Sequence, residues 1–309
     1  MYLTSREAST QFGANVHVFP DMASLYAFEC ASPAAVDLLV VEGALATPAL
    51  RVALGDPSWP KRIVEGLRLP EGHRWLFTGR PGESGDDQRL VPGDLELISA
   101  AAGTAGPPRG SIRCTWWIRR YDERRSTDGD LDFFARMQAA GGQVDPVADA
   151  IIAALSDLLV AAAACGGTLL VEQLTVILAK DPGARLRTLT PTLHADEYYG
   201  RRETAIASLT EDGWSRRGGA LFLPALRMAE LEARGRFELA RVESELAGEL
   251  VVTPGSGDLL IYDGMRGPDG MVDRRQGVPH ISADVPGQSA RLVVLMRHAL
   301  PGAVRPGHV

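Results

Sequence analysis

His194 and Asp196 stand two residues apart in Leu193-His194-Ala195-Asp196. The run leading to them from Arg185 is β-rich, and along a strand the side chains at i and i+2 point to one face. An imidazole and a carboxylate therefore converge at the strand end. A metal ion needs a further donor, and apart from the near-terminal His308 the other histidines are His17, His73, His280 and His298. His280 fits best: within Gly277-Val278-Pro279-His280-Ile281 it follows a long turn and stands ten residues before Ala290, where the last strong apolar strand begins. Two imidazoles and one carboxylate on a β scaffold suit Fe(II), gripped from one side with positions left open for a chelating cosubstrate and O2.

Arg291 follows His280 by eleven residues and opens the strand RLVVLMR, whose alternation puts Arg291, Val293, Leu295 and Arg297 on one face. A cation facing a barrel interior is costly unless paired. A dicarboxylate cosubstrate supplies that pair, since a guanidinium fork binds a carboxylate through two parallel hydrogen bonds. Arg297 is expected in a surface salt bridge near the strand end, and His298, of opposite parity, is not expected among the ligands.

The ordered set of His194-x-Asp196, His280 after a further 84 residues, and Arg291 near the start of the closing strand resembles the Fe(II)/2-oxoglutarate-dependent dioxygenase superfamily. The resemblance runs from Arg185 to the end of the chain. It implies a double-stranded β-helix core, a jelly-roll of the cupin-like kind, in which His194, Asp196 and His280 hold Fe(II), 2-oxoglutarate chelates the metal and Arg291 binds its distal carboxylate. Ser289, of the same strand parity, adds a hydroxyl to that subsite. O2 is the second cosubstrate; succinate and CO2 are released, and hydroxylation of a small polar molecule, such as an amino acid or natural-product intermediate, is the default outcome. The carboxylate at Asp196 disfavours halogenation. Tyr198, Tyr199, Arg201, Arg202 and Glu203 follow the metal motif closely and are expected around the barrel mouth, with a solvated loop as the alternative; Tyr198, Arg201 and Arg202 are substrate-contact candidates, as is Trp214, whose more ordinary reading is a turn-packing aromatic. Two alternatives stand beside this reading. One is a Zn(II) hydrolase using the same ligands and an activated water, which leaves Arg291 without a purpose. The other is a non-catalytic cupin-like sensor that uses Arg291 for a carboxylate ligand.

The elements that must carry these residues are short strands. Thr168 to Ala179, Arg185 to His194, Glu203 to Thr210, Gly219 to Leu223, Glu249 to Thr253, Asp258 to Tyr262 and Ala290 to His298 are β-rich and separated by turn signals, with one helix near Ala225 to Arg234. Residues 166–309 are therefore expected to form the catalytic β core. Residues 1–165 are expected to form a mixed α/β elaboration packed on it, closing one end of the barrel or, alternatively, mediating a homodimer. In that part Val16 to Phe19, Val36 to Val41, Trp75 to Thr78 and Ser111 to Tyr121 read as strands. Asp130 to Ala140 and Val147 to Ala164 read as helices, and Ala100 to Gly110 as a linker. The fold class is α+β with a mainly β core.

The chain has 309 residues and a net charge of −7, and Gly 33 with Pro 20 makes it turn-rich. Its acidic balance and lack of long basic runs argue against a nucleic-acid partner. Cys30, Cys114 and Cys165 lie in apolar stretches without metal spacing and read as buried thiols of a reducing compartment. The N-terminal MYLTSREASTQFG has no apolar signal core, and Ile151 to Cys165 reads as too short and interrupted to cross a bilayer. A cytoplasmic enzyme of a small molecule, away from membranes, is the expectation.

Overall fold

Among the described residues the two longest strands pair with each other. In a computed structural model, which describes residues 2–4, 16–31, 38–67, 75–78, 111–117, 145–179, 193–197, 200, 202, 204–210, 220–234, 251–253, 255–267, 271–282 and 290–299, β6 (Thr168–Ala179) and β12 (Ala290–Ala299) form an antiparallel ladder. This ladder lies inside an eight-stranded mixed sheet. On one side β12 meets β7 (Thr204–Thr210), then β10 (Leu259–Tyr262), β3 (Leu38–Val41) and β2 (Val16–Phe19); on the other, β6 meets β5 (Ser111–Trp117) and β4 (Trp75–Thr78). A second sheet orders β1 (Tyr2–Thr4), β9 (Val251–Thr253), β8 (Ala220–Phe222) and β11 (His280–Ser282).

Strand alternation gives the large sheet two different faces. Leu292, Val294 and Met296 of β12 join Leu259 and Ile261 of β10 in a core shared with helices. The helices are α1 (Met22–Ala31), α2 (Pro48–Leu54), α3 (Trp59–Gly66) and α4 (Pro146–Ala164). The opposite face, with Val16, Leu38, Val40, Leu260 and Tyr262, packs on Phe222 and Val252 of the small sheet and on Val278. The outer side of the small sheet is covered by Leu226 and Leu231, the latter from α5 (Met228–Ala233).

The helix expected from Val147 begins at Pro146, where proline's missing N–H costs nothing, behind an Asp145 cap whose Oδ1 accepts the Val147 N–H at 2.7 Å. Its buried stripe, including Ile151, Leu155, Leu158 and Leu159, is the predicted one. At nineteen residues α4 is, by length and composition alone, long and apolar enough to cross a membrane, where the apolar window from Ile151 to Cys165 reads as too short; half of the helix's apolar window is buried against the protein. Cys30 also departs from expectation, being exposed at the end of α1, and Cys165 is half-buried. The expected boundary at 165/166 cuts through both sheets, because β2 to β5 are members of the large one and β1 pairs with β9. Helices α1, α2 and α3 and strands β1 and β11 were not anticipated. The expected helix Asp130 to Ala140, the linker Ala100 to Gly110 and most of the strand Arg185 to His194 lie outside the described residues.

Candidate metal centre

His194 and His280 are joined through their backbones: the His194 N–H donates to the His280 carbonyl at 3.0 Å and the His280 N–H to the His194 carbonyl at 2.7 Å. This antiparallel bridge sets His194 beside β11 at the edge of the small sheet. Directly opposed residues in such a pair carry their side chains on one face, and the two imidazole centroids lie 4.4 Å apart. Asp196, two residues on, turns to the same point. One donor atom from each of His194, Asp196 and His280 lies within 4.8 Å of the others. His280 Nε2 and Asp196 Oδ2 are 4.0 Å apart, too far for a hydrogen bond.

The donor chemistry fits a divalent cation. His280 Nδ1 lies 3.0 Å from the Val278 carbonyl; a carbonyl only accepts, so Nδ1 carries the proton and Nε2 presents its lone pair. Burial, and secondarily the neighbouring His194, pushes His280 down to about 4, so the ring is neutral at pH 7, as a ligand must be.

Three loop segments are laced together around this point. The Met265 N–H donates to the Asp196 carbonyl at 2.7 Å, the Gly264 N–H to Gly200 at 2.9 Å, and the Val278 N–H to the Asp263 carbonyl at 2.8 Å. Gly277 has φ +82, and a Cβ there would stand 2.5 Å from Met265 Cγ and 3.0 Å from Ala195 Cβ. Only glycine lets the His280 segment pass this close to the His194-Ala195-Asp196 segment.

Two aromatic residues complete the surroundings, and neither was singled out from sequence. Phe222 stacks on His280 with centroids 5.2 Å apart; Tyr262 meets the same ring edge-on at 5.1 Å. The Tyr262 hydroxyl donates to Asp196 Oδ2 at 2.9 Å. The available signal was a polar-tipped aromatic ending the otherwise aliphatic run Leu259-Leu260-Ile261-Tyr262.

Arg291 is buried, 4% exposed, and alternates with Leu292 and Val294, which face the helices. It thus lies on the sheet face turned toward the small sheet, opposite Thr210 and Ile177. Arg202 is a correction. Its φ of 54 reverses the chain, and the buried guanidinium points to Glu29 at 3.7 Å instead of a substrate mouth. Arg297 is a second correction, since its salt bridge to Glu172, 2.7 Å long, has side chains only 15% and 3% exposed. His298 is buried on the helix side beside Glu29, and His17 packs on Phe28. Ser289, Tyr198, Tyr199, Arg201, Glu203 and Trp214 lie outside the described residues.

No protein-family model matches the chain and no curated protein does. Among solved structures it is similar to the rice dioxygenase for auxin oxidation, at 16% identity over 97% of this chain and 83% of that one, with a TM-score of 0.37. It is also similar to JOX2, solved with 2OG, Fe and JA, at 10% identity over 94% and 76% with a TM-score of 0.38. A third is a 2OG-Fe(II) oxygenase-family oxidoreductase from Burkholderia pseudomallei, at 10% over 92% and 97% with a TM-score of 0.33. These superpositions are loose, and the functional reading rests on this chain's own side chains. The matched structures include 2-oxoglutarate Fe(II) oxygenases, and a His-Asp-His group stands in this chain.

Proposed function

We propose that the protein is an Fe(II)- and 2-oxoglutarate-dependent oxygenase of a small polar substrate. The observation that carries the proposal is the convergence of His194, Asp196 and His280 donor atoms within 4.8 Å. Two imidazoles and one carboxylate are a set that binds Fe(II) while leaving positions open. The order of strands supports a double-stranded β-helix: from β6 onward the chain alternates between the large sheet (β6, β7, β10, β12) and the small one (the His194 bridge, β8 and β9, β11).

In this reading His194, Asp196 and His280 hold the metal, and the His280 ring is fixed as a lone-pair donor by the Val278 carbonyl. Arg291 binds and orients the distal carboxylate of 2-oxoglutarate, with Ser289 assisting. Phe222 and Val278 keep water from the inner side of His280. Bound iron and cosubstrate supply oxidative decarboxylation and activation of O2, with hydroxylation as the default outcome.

The test is anaerobic addition of Fe(II) and 2-oxoglutarate to the purified protein. A weak visible charge-transfer band is expected, absent in His194→Ala. Tight Zn(II) binding with no such band overturns the oxygenase reading in favour of the hydrolase.

A further inference from the structure

Tyr262 ends β10 of the large sheet, 66 residues beyond Asp196, while the two histidines pair at the edge of the small one. Its side chain is almost wholly buried, at 1% exposure, and a buried phenol requires a hydrogen-bond partner. Asp196 Oδ2 is such a partner at 2.9 Å. We propose that Tyr262 is a positioning residue of the metal centre, its hydroxyl holding the Asp196 carboxylate so that it offers the ion a single donor oxygen. The inference rests on the reading of His194, Asp196 and His280 as metal ligands.

The Asp196 side chain is 21% exposed, less confined than the His280 ring it must meet. Its backbone is anchored by Met265, but the carboxylate still has torsions to fix. An O–H donated to one carboxylate oxygen aims the group and draws charge from that oxygen, which disfavours a grip by both oxygens at once. A one-oxygen grip leaves one more coordination position open. The phenol thereby sets how many positions a chelating cosubstrate and O2 find, and it does so from the opposite sheet.

The ring and the hydroxyl separate cleanly by substitution, because Tyr262→Phe keeps the edge contacts with Phe222 and His280. The experiment is a Co(II) titration of the metal-free full chain, read by affinity and by the visible d–d spectrum. Tyr262→Phe is expected to weaken Co(II) binding about tenfold to a hundredfold and to change the band pattern, while the metal-free melting temperature stays within about 4 °C of wild type. In an Asp196→Asn background the same substitution is expected to have no further effect on affinity. Wild-type affinity and spectrum in Tyr262→Phe overturn the positioning role and leave the metal site standing. Failure of the wild-type chain to take up Co(II) overturns the metal-site reading and this inference with it.

Discussion

A guanidinium with 4% of its residue surface exposed, such as Arg291, stays in a folded protein because its charge is met by polar groups. If a cosubstrate carboxylate is one of them, Arg291→Ala leaves Fe(II) binding intact and raises the 2-oxoglutarate requirement about tenfold to a hundredfold, corresponding to the ~1.5–3 kcal/mol typical of hydrogen bonds to charged groups. Half-saturation of the charge-transfer band measures this directly; a variant that saturates like wild type removes Arg291 from the cosubstrate site. The inward face of Arg291 could be read in the sequence because its evidence is local: a charge at fixed parity in an apolar strand. His194 and Asp196 were legible for the same reason, as an i, i+2 pair. Tyr262 was not, since its contact spans 66 residues. Arg202 was misplaced because closeness in sequence to the ligands was taken for closeness in space, and its left-handed backbone turns it to the other face of the sheet.

Behind the large sheet, α1, α4, β12 and the turn before β7 enclose a set of buried polar groups. His298 Nδ1 lies 2.9 Å from the Arg202 carbonyl, so that nitrogen carries the proton and the neutral ring's Nε2 is an acceptor. It faces Glu29 Oε2 at 3.4 Å. Two acceptors facing each other call for a proton, and burial raises Glu29 to about 7 against the opposing pull of Arg202. Burial also lowers His298 to about 4, helped by the Arg202 charge. Tyr26 borders the pair from α1 and is itself raised, by burial and then by Glu29 and Cys165; His17 lies on the Arg202 side.

The two titrations act on stability with opposite sign. Glu29 binds its proton more tightly when folded, so its contribution falls as pH rises from about 4.5 toward 7. His298 binds its proton less tightly when folded, so its contribution rises between about 4 and 6.5. Over the shared window they offset each other. Glu29→Gln removes the falling limb, and its unfolding free energy from urea titration should climb with pH from 4 to 6.5 more steeply than that of wild type, by up to ~1.4 kcal/mol per pH unit. Parallel pH profiles for the two proteins would show that Glu29 titrates normally. At the head of α4, Asp145 caps Val147 and also pairs with Arg62 at 3.0 Å. Asp145→Ala should cost about 1–2 kcal/mol, measured by chemical denaturation, and almost all of it from the cap, since the half-exposed pair adds little. Helix α4 could be read from its 3.6-residue spacing. β11 could not, because three residues carry no period and its pairing with β8 is set by distant chain.

The two sheets draw strands from both ends of the chain. β10 lies between β3 and β7, so a strand of the C-terminal half is flanked by one from residues 38–41. A fragment of residues 166–309 therefore exposes the β10 edge, loses the β5 cover on β6 and uncovers the sheet face that α1 to α4 bury. It should show no cooperative thermal transition, whereas the full chain should; cooperative unfolding of the fragment would establish 166–309 as an autonomous unit. Periodicity within each strand says nothing about which partners complete its ladder, and that is why the N-terminal strands read from sequence as an elaboration.

The bridge between His194 and His280 also sets an order in time. A growing chain that has delivered His194 and Asp196 holds two donors, and the third arrives 84 residues after the aspartate, about 4–17 s later at the ~5–20 residues per second of synthesis. β7, β8, β9 and β10 are made in that interval. If the three donors hold an ion, all of them meet it only after strands of both sheets have been made around it, and an unfinished chain would be a poor host for a redox-active metal.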